Sequence, residues 1–384
     1  MILPSDDKPR SYLDHAATSP LRPAALAAMV EVAAVVGNPS SQHASGRAAR
    51  RLVEDSREQI AELIGAEPIE VIFTSGGTEA NNLAVHGSWL ARRAQQRPAV
   101  MLGTTEHPAV RDQATVIEAE GGRVDWVEVD PTGHSVLPEV AEDTAVLSVM
   151  WVNNETGAIQ PIPELARAAH ASGALFHTDA VQAMSWLPVD FHGSGIDLLS
   201  MSAHKIGGPV GIGALVATRA ASPSPVLVGG GQERGIRSGT LAPMLMAGFA
   251  AALAEAAAER EAAAARLASF GDLIRQGVST IDGTRVNSVE PVSPAIVNVT
   301  FDGCLADDLL LLLDAEGIDC SVGSACAAGV SRASYVLLAM GRDEAAARGS
   351  LRFSLGHTTT EADIDRLLAA LPGAVARARA ASGG

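Results

Sequence analysis

Lysine is almost absent from this 384-residue chain. Of its 28 basic residues only Lys8 and Lys205 are lysines, and the rest are arginines. Aromatic residues are scarce too, at 3%, although the hydrophobic share is 47%. A core can form, but it must be aliphatic and rich in alanine. Three cysteines, Cys304, Cys320 and Cys326, are too few to staple a chain of this size, which points to a reducing, cytoplasmic setting. No apolar run suits a membrane span: Glu31 interrupts residues 24–36, and LLLLL at 309–313 is too short. The opening MILPSDDKPR lacks the apolar segment of a secretory signal. Positive charge is in deficit, with a net of −16, which argues against a general binder of nucleic acid or anionic membrane. Also missing are GxxxxGK[ST], HExxH, GxSxG and paired CxxC motifs, so no metal is expected.

What is present is an alternation of apolar runs with amphipathic stretches. Strands are expected at Val71–Ser75, Val100–Thr104, Val124–Val129, Ala145–Trp151, Ala174–Thr178, Leu198–Ser202 and Ala214–Thr218. Helices are expected between them, at Glu79–Ala94, Val110–Glu120 and Ile162–Ala171 among others. This pattern reads as a doubly wound, mostly parallel α/β sheet, whose ligands sit at the carboxyl ends of the strands. Polar clusters fall at those ends: SGGTE, TEH, NNETG, HTDAVQ and SAHK. Beyond them an Ala/Glu-rich helix over Ala250–Ala268 leads towards a smaller α+β part. Its strands are expected near Ile296–Phe301, Gly317–Ser321 and Gly349–Ser354, with a final helix from Glu361 and a frayed tail at ARAASGG.

Lys205, in MSAHKIGGPVGIG, follows a strand and precedes a glycine-rich turn. It could be a surface lysine. In a chain that otherwise uses arginine, an amine at a strand end points instead to imine chemistry, which a guanidinium cannot perform, and pyridoxal phosphate is the natural carbonyl partner. That cofactor needs a phosphate cradle, for which Gly77 and Thr78 in FTSGGTEANN, Ser202, His204 and the loop Ser238–Thr240 are candidates. It needs a carboxylate for its ring nitrogen; Asp179 could serve, or could simply cap a helix. Gln182 could reach the ring hydroxyl. His107 in TTEHPAV could stack on the ring and move protons, or be a polar surface residue. Cys326 lies among small residues in VGSACAAG, which suits an accessible nucleophile, whereas Cys304 and Cys320 read as buried thiols. Arg352 in SLRFSLGH could grip a substrate carboxylate or make a structural ion pair. Arg47, Arg50, Arg51 and Arg57 form a basic helix face, either solvated or docking an acidic partner.

In order along nearly the whole chain run YLDHAATSP, GNPSSQHASGR, FTSGGTEANNLAV, TTEHPAV, VNNETGAIQP, HTDAVQ, SAHKIGGPVGIGAL, GGGQERGIRSGT, VGSAC and RGSLRFSLGHTTTEADID. With these motifs the chain resembles the cysteine desulfurases, pyridoxal-phosphate enzymes of the class V aminotransferase group. The run Cys326–Tyr335 is similar to the longer catalytic loop of the housekeeping iron–sulfur assembly type. The resemblance implies the type I fold of pyridoxal-phosphate transferases. It implies a large cofactor-binding domain over 18–260, and a small domain of 1–17 plus 261–384. It implies conversion of L-cysteine to L-alanine with a persulfide left on the enzyme. Lys205, Cys326 and His107 would be catalytic. Gly77, Thr78, Asn154, Asp179, Gln182, Ser202, His204 and Thr240 would join Lys205 in holding the cofactor, with Thr240 reaching the neighbouring subunit's phosphate in a homodimer. Asn38, Asn154 and Arg352 would hold the substrate carboxylate. Sulfur-acceptor proteins, an iron–sulfur scaffold or a thiolation carrier, would be partners. A selenocysteine lyase, a small-amino-acid aminotransferase and a non-catalytic sulfur scaffold are the rival readings. Two departures stand out: about ten extra residues before YLDH, and Ala203 where many relatives carry glycine.

Overall fold

The computed structural model describes residues 10–323 and 333–382. Seven strands form one sheet: β1 (Val71–Thr74), β2 (Ala99–Gly103), β3 (Arg123–Val127), β4 (Thr144–Ser148), β5 (Leu175–Asp179), β6 (Leu198–Ser202) and β7 (Gly213–Ala217). Their spatial order is β1-β7-β6-β5-β4-β2-β3. Strand β7 runs antiparallel to both its neighbours, and every other pairing is parallel. Strand β1 therefore points the same way as the parallel set.

Strands β1, β2, β4, β6 and β7 are buried on both faces, which is why they read as continuous apolar runs. Period-two alternation splits their side chains between two cores. Val71, Phe73, Met201, Ala214 and Val216 pack into one, and Ile72, Leu198, Leu215 and Ala217 into the other. Edge strand β3 is guarded by charge: Arg123 pairs with Asp143 at 2.6 Å and with Asp125 at 3.0 Å.

Every expected strand of this sheet forms, but several end earlier than the apolar run does. After β4 the residues Val149, Met150 and Trp151 stay buried without extending the strand. The Met150 amide donates to the Glu106 carboxyl, and the Asn153 amide to Ala158 O. Val149 and Trp151 still donate to the β5 carbonyls of His177 and Asp179, at 3.1 and 2.9 Å, while Met150 between them lines a cavity. The helix after β1 starts at Gly77 and passes through a π-helical turn at Leu83–Gly87 before ending near Arg92.

The expected Ala/Glu-rich helix is longer than its composition suggested, spanning Pro243–Ser279. Phe249, Ala252 and Leu253 enter the first core, while Leu267, Ile274 and Val278 enter a third. That third core surrounds an antiparallel sheet of β8 (Thr284–Val286), β9 (Ile296–Phe301) and β10 (Ser350–Ser354), in the order β10-β9-β8. Ser11–Tyr12 pairs in parallel with Ile318–Asp319. The last helix runs Glu361–Ser382 and holds ARAAS in helical form, contrary to the expected fraying, because Ala374, Val375 and Ala378 are buried in the third core.

The basic face on the helix Ala44–Leu63 is not uniformly solvated. Arg57 is buried and grips Glu233 through Nη1 and Nη2 at 2.8 and 2.7 Å, and Glu233 also accepts from the Phe73 amide. Removing one member of a buried pair strands the other. Arg57→Met is expected to lower stability by about 3–5 kcal/mol. Urea unfolding of the holoprotein reads this as a lowered midpoint, and an unchanged midpoint contradicts it.

Candidate active site

The carboxyl ends of β1, β2, β4, β5 and β6 open on one edge of the sheet. A cavity of about 440 Å³ lies there. It is lined by Gly77, Thr78, His107, Asn154, Asp179, Gln182, Ser202, His204, Lys205 and Arg352, together with Asn81, Met150 and Val152.

Lys205 sits in the 3₁₀ turn Ala203–Ile206 that follows β6. Gly207 closes the turn at φ +81°, where a Cβ would meet Arg22 Cγ at 2.6 Å. Arg22 is itself buried, donating from Nε to Ile206 O at 2.8 Å and pairing with Glu255 at 3.1 Å. The turn is thus held from below, and the amine projects into the cavity. Lys205 Nζ donates to the Ala16 and Ala17 carbonyls at 2.6 and 2.7 Å. Burial, helped by the nearby Arg352 charge, pushes its pKa down to about 8 against the opposing pull of Asp14 and Asp179.

Asp179 ends β5 and is 5% exposed. Its Oδ2 accepts from Asn81 Nδ2 at 2.6 Å and its Oδ1 from the Val181 amide at 2.9 Å. The carboxylate does cap the following turn, and it also borders the cavity with acceptor capacity to spare. His107 Nδ1 accepts from the Ala109 amide at 3.1 Å. That contact assigns the proton of the neutral ring to Nε2. Desolvation lowers the His107 pKa, with Asp179 opposing and Lys205 reinforcing. His204 is pushed down to about 4 by burial and by Lys205, and its Nδ1 meets Thr18 Oγ1 at 3.1 Å.

Arg352, in the middle of β10, meets both of its expected uses part-way. It pairs with Asp14 at 2.7 Å and donates to Asn154 O at 2.8 Å, yet it also lines the cavity. Arg352 Nε and Asn154 Oδ1 are buried and have no hydrogen-bond partner among the described residues. Such capacity at a cavity wall calls for a ligand.

Residues 11–367 match the family model described as Aminotransferase class-V. The chain belongs to the class-V aminotransferase family. Within it, an IscS-like cysteine desulfurase of Mycobacterium tuberculosis is 48% identical over 97% of this chain and 98% of its own length. A solved structure titled NifS-like protein matches with a TM-score of 0.90 at 31% identity, covering 96% of this chain and 100% of that one. A structure of SspA in complex with cysteine matches with a TM-score of 0.79 at 31% identity, over 91% and 100% of the two chains. This class-V enzyme is therefore a pyridoxal-phosphate-dependent cysteine desulfurase of the type I fold.

The desulfurase cavity suits that cofactor on its own chemistry. It combines a partly desolvated amine, a carboxylate fixed at the end of β5, and a group of neutral donors. A Cβ on Gly77 would lie 3.0 Å from Val181 Cγ2 and 3.5 Å from Ser202 Cβ, so bulk there would narrow the space between them. Because the Lys205 pKa is near 8, about one amine in ten is neutral at pH 7. Capture of pyridoxal phosphate by the apoprotein should speed up about tenfold per pH unit below 8 and level off above. Absorbance stopped-flow measures it, and a flat profile contradicts the shift.

The desulfurase chain does not bring every expected residue to this cavity. Asn38 is exposed, its Oδ1 accepting from the Ser40 amide, and Thr240 is exposed as well; neither lines the cavity. Cys326 lies outside the described residues. Cys304 and Cys320 are free and buried, and burial pushes their thiols up, Cys320 to about 12. Sequence reasoning missed Asn81, Asp14 and Glu106. Asn81 falls one helical turn after Thr78, a spacing that signals the same face. Asp14 and Glu106 stand beside the motif histidines of YLDH and TEH, without any pattern to announce their partners.

Proposed function

We propose that Lys205, His107, Asp179 and Arg352 carry out the desulfuration of L-cysteine in this cavity, and that Cys326 receives the sulfur. The observation that carries the reading is a single cavity lined by Lys205, Asp179 and Arg352 together. Pyridoxal phosphate, when bound, supplies an aldehyde for the lysine amine and a ring that accepts electron density from the substrate.

Thr78, Ser202 and His204, with the Gly77 backbone, hold its phosphate, and Thr240 does so for a neighbouring subunit in a homodimer. Asp179, oriented by Asn81, would keep a proton on the ring nitrogen, Gln182 would contact the ring oxygen, and Asn154 would also help to hold the cofactor. Arg352 and Asn154 bind the substrate carboxylate. The Lys205 amine and His107 Nε2 exchange the substrate's Cα proton. The Cys326 thiolate attacks the substrate sulfur: the new S–S bond forms as the Cβ–S bond breaks, and the carbon takes up a proton. One L-cysteine and one thiol give one L-alanine and one persulfide.

The persulfide then supplies iron–sulfur assembly or tRNA thiolation through an acceptor protein. The strongly acidic chain makes direct binding of nucleic acid unfavourable. Among the described residues no helix is long and apolar enough to cross a membrane. We place the enzyme in the cytoplasm, where free thiols persist.

Asp179→Asn tests the assignment. The amide keeps its size but loses the charge that holds the ring proton, and alanine formation from L-cysteine is expected to drop roughly a hundredfold or more. A drop of less than about twofold refutes the role, since that is within the spread of neutral substitutions.

A further inference from the structure

Glu155, next to Asn154 in NNETG, is a second buried carboxyl close to the cavity, and the chemistry above does not use it. It is 2% exposed. Its backbone is held rigidly, with the amide donating to Asn153 Oδ1 at 2.9 Å and the carbonyl accepting from Asn298 Nδ2 at 3.2 Å. Burying a carboxyl is costly unless it is hydrogen-bonded, so its contacts are informative.

Among the described residues the carboxyl accepts one hydrogen bond and is closely approached by one backbone segment, and these two fall on either side of the segment 324–332 that contains Cys326. Ser334 Oγ donates to Glu155 Oε2 at 2.5 Å. Gly323, at φ +82°, approaches so closely that a Cβ there would lie 2.9 Å from the same oxygen. One carboxylate oxygen thus meets both flanks. Each flank is tied onward. Gly323 and Ser321 line the cavity, and the Gly323 amide donates to Ser321 Oγ at 3.2 Å. Ser334 caps the helix Tyr335–Ala339 by accepting from the Leu337 amide, and Tyr335 Oη donates to Glu106 O beside His107. At the other end of the dipeptide, Asn154 O receives Arg352 Nη1.

We propose that Glu155 is a positioning residue for sulfur transfer: by accepting from Ser334 and packing against Gly323 it fixes the described residues on either side of the Cys326 segment relative to the Asn154–Arg352 end of the cavity. The proposal rests on Cys326 being the sulfur acceptor. A side chain with this role governs the approach of the thiol and leaves binding and Cα chemistry alone, because misplacement by even about 1 Å weakens a step that needs near in-line geometry.

The test uses the holoenzyme in three variants, Glu155→Ala, Glu155→Gln and Ser334→Ala. Two reactions are read separately: exchange of the L-alanine Cα hydrogen with deuterated solvent, which needs no thiol, and single-turnover persulfide formation on Cys326 from L-cysteine. Glu155→Ala and Ser334→Ala are expected to slow persulfide formation about tenfold or more, with Cα exchange and the KM for L-cysteine within about twofold of the parent. Glu155→Gln, whose amide oxygen can still accept from Ser334, recovers most of the rate. Equal loss in both reactions, or loss in neither, overturns the proposal. Should Glu155→Ala fail to fold, the Ser334→Ala result decides it by the same criteria. Failure of the underlying reading looks different: Cys326→Ala would then desulfurate L-cysteine at the parent's rate.

Discussion

Lys205→Arg is expected to abolish alanine formation from L-cysteine, with a fall of roughly a thousandfold or more, and to leave no cofactor fixed to the chain after borohydride reduction. Arginine preserves the positive charge, and its length keeps it within reach of the Ala16 and Ala17 carbonyls that hold the lysine amine. What it cannot do is lose a proton and form a bond to an aldehyde carbon. The substitution therefore separates charge from nucleophilicity at a single site. Among the described residues Lys205 is the only lysine. Residual cofactor binding through the phosphate contacts is expected, and dialysis removes it. Activity within about tenfold of the parent would mean that a different group captures the cofactor.

Cys326→Ala is expected to stop sulfur removal while sparing everything before it. Alanine production from L-cysteine should fall at least about a hundredfold, whereas cofactor absorbance and Cα exchange of L-alanine stay unchanged. The other two cysteines cannot take over. Cys320 is buried with its thiol pushed up to about 12, so almost no thiolate exists at neutral pH, and the Cys304 thiol is buried and raised as well. Full retention of activity would instead favour a lyase or aminotransferase reading of the same scaffold.

The central strands were legible because they are buried on both faces and so read as short unbroken apolar runs. The site was legible because polar motifs stand at their carboxyl ends, where parallel topology gathers them. What stayed hidden depends on contacts distant in sequence. Asn81 and Asp179 are 98 positions apart, and nothing near either announces the other. Arg57 looks like part of a basic face until Glu233, 176 residues on, is found holding it. Asp14 and Arg352 are separated by 338 positions. Asn38 and Thr240 stand in recognisable motifs, but the chain does not bring them to the cavity.

Mass spectrometry of the intact and digested holoprotein tests the division of labour between amine and thiol most directly. One sample is reduced with borohydride, and a parallel sample is treated with L-cysteine. The expected result is a single reduced pyridoxyl label on Lys205 and one additional sulfur atom on Cys326. A label on any other residue, or added sulfur on Cys304 or Cys320 with Cys326 unmodified, would contradict it.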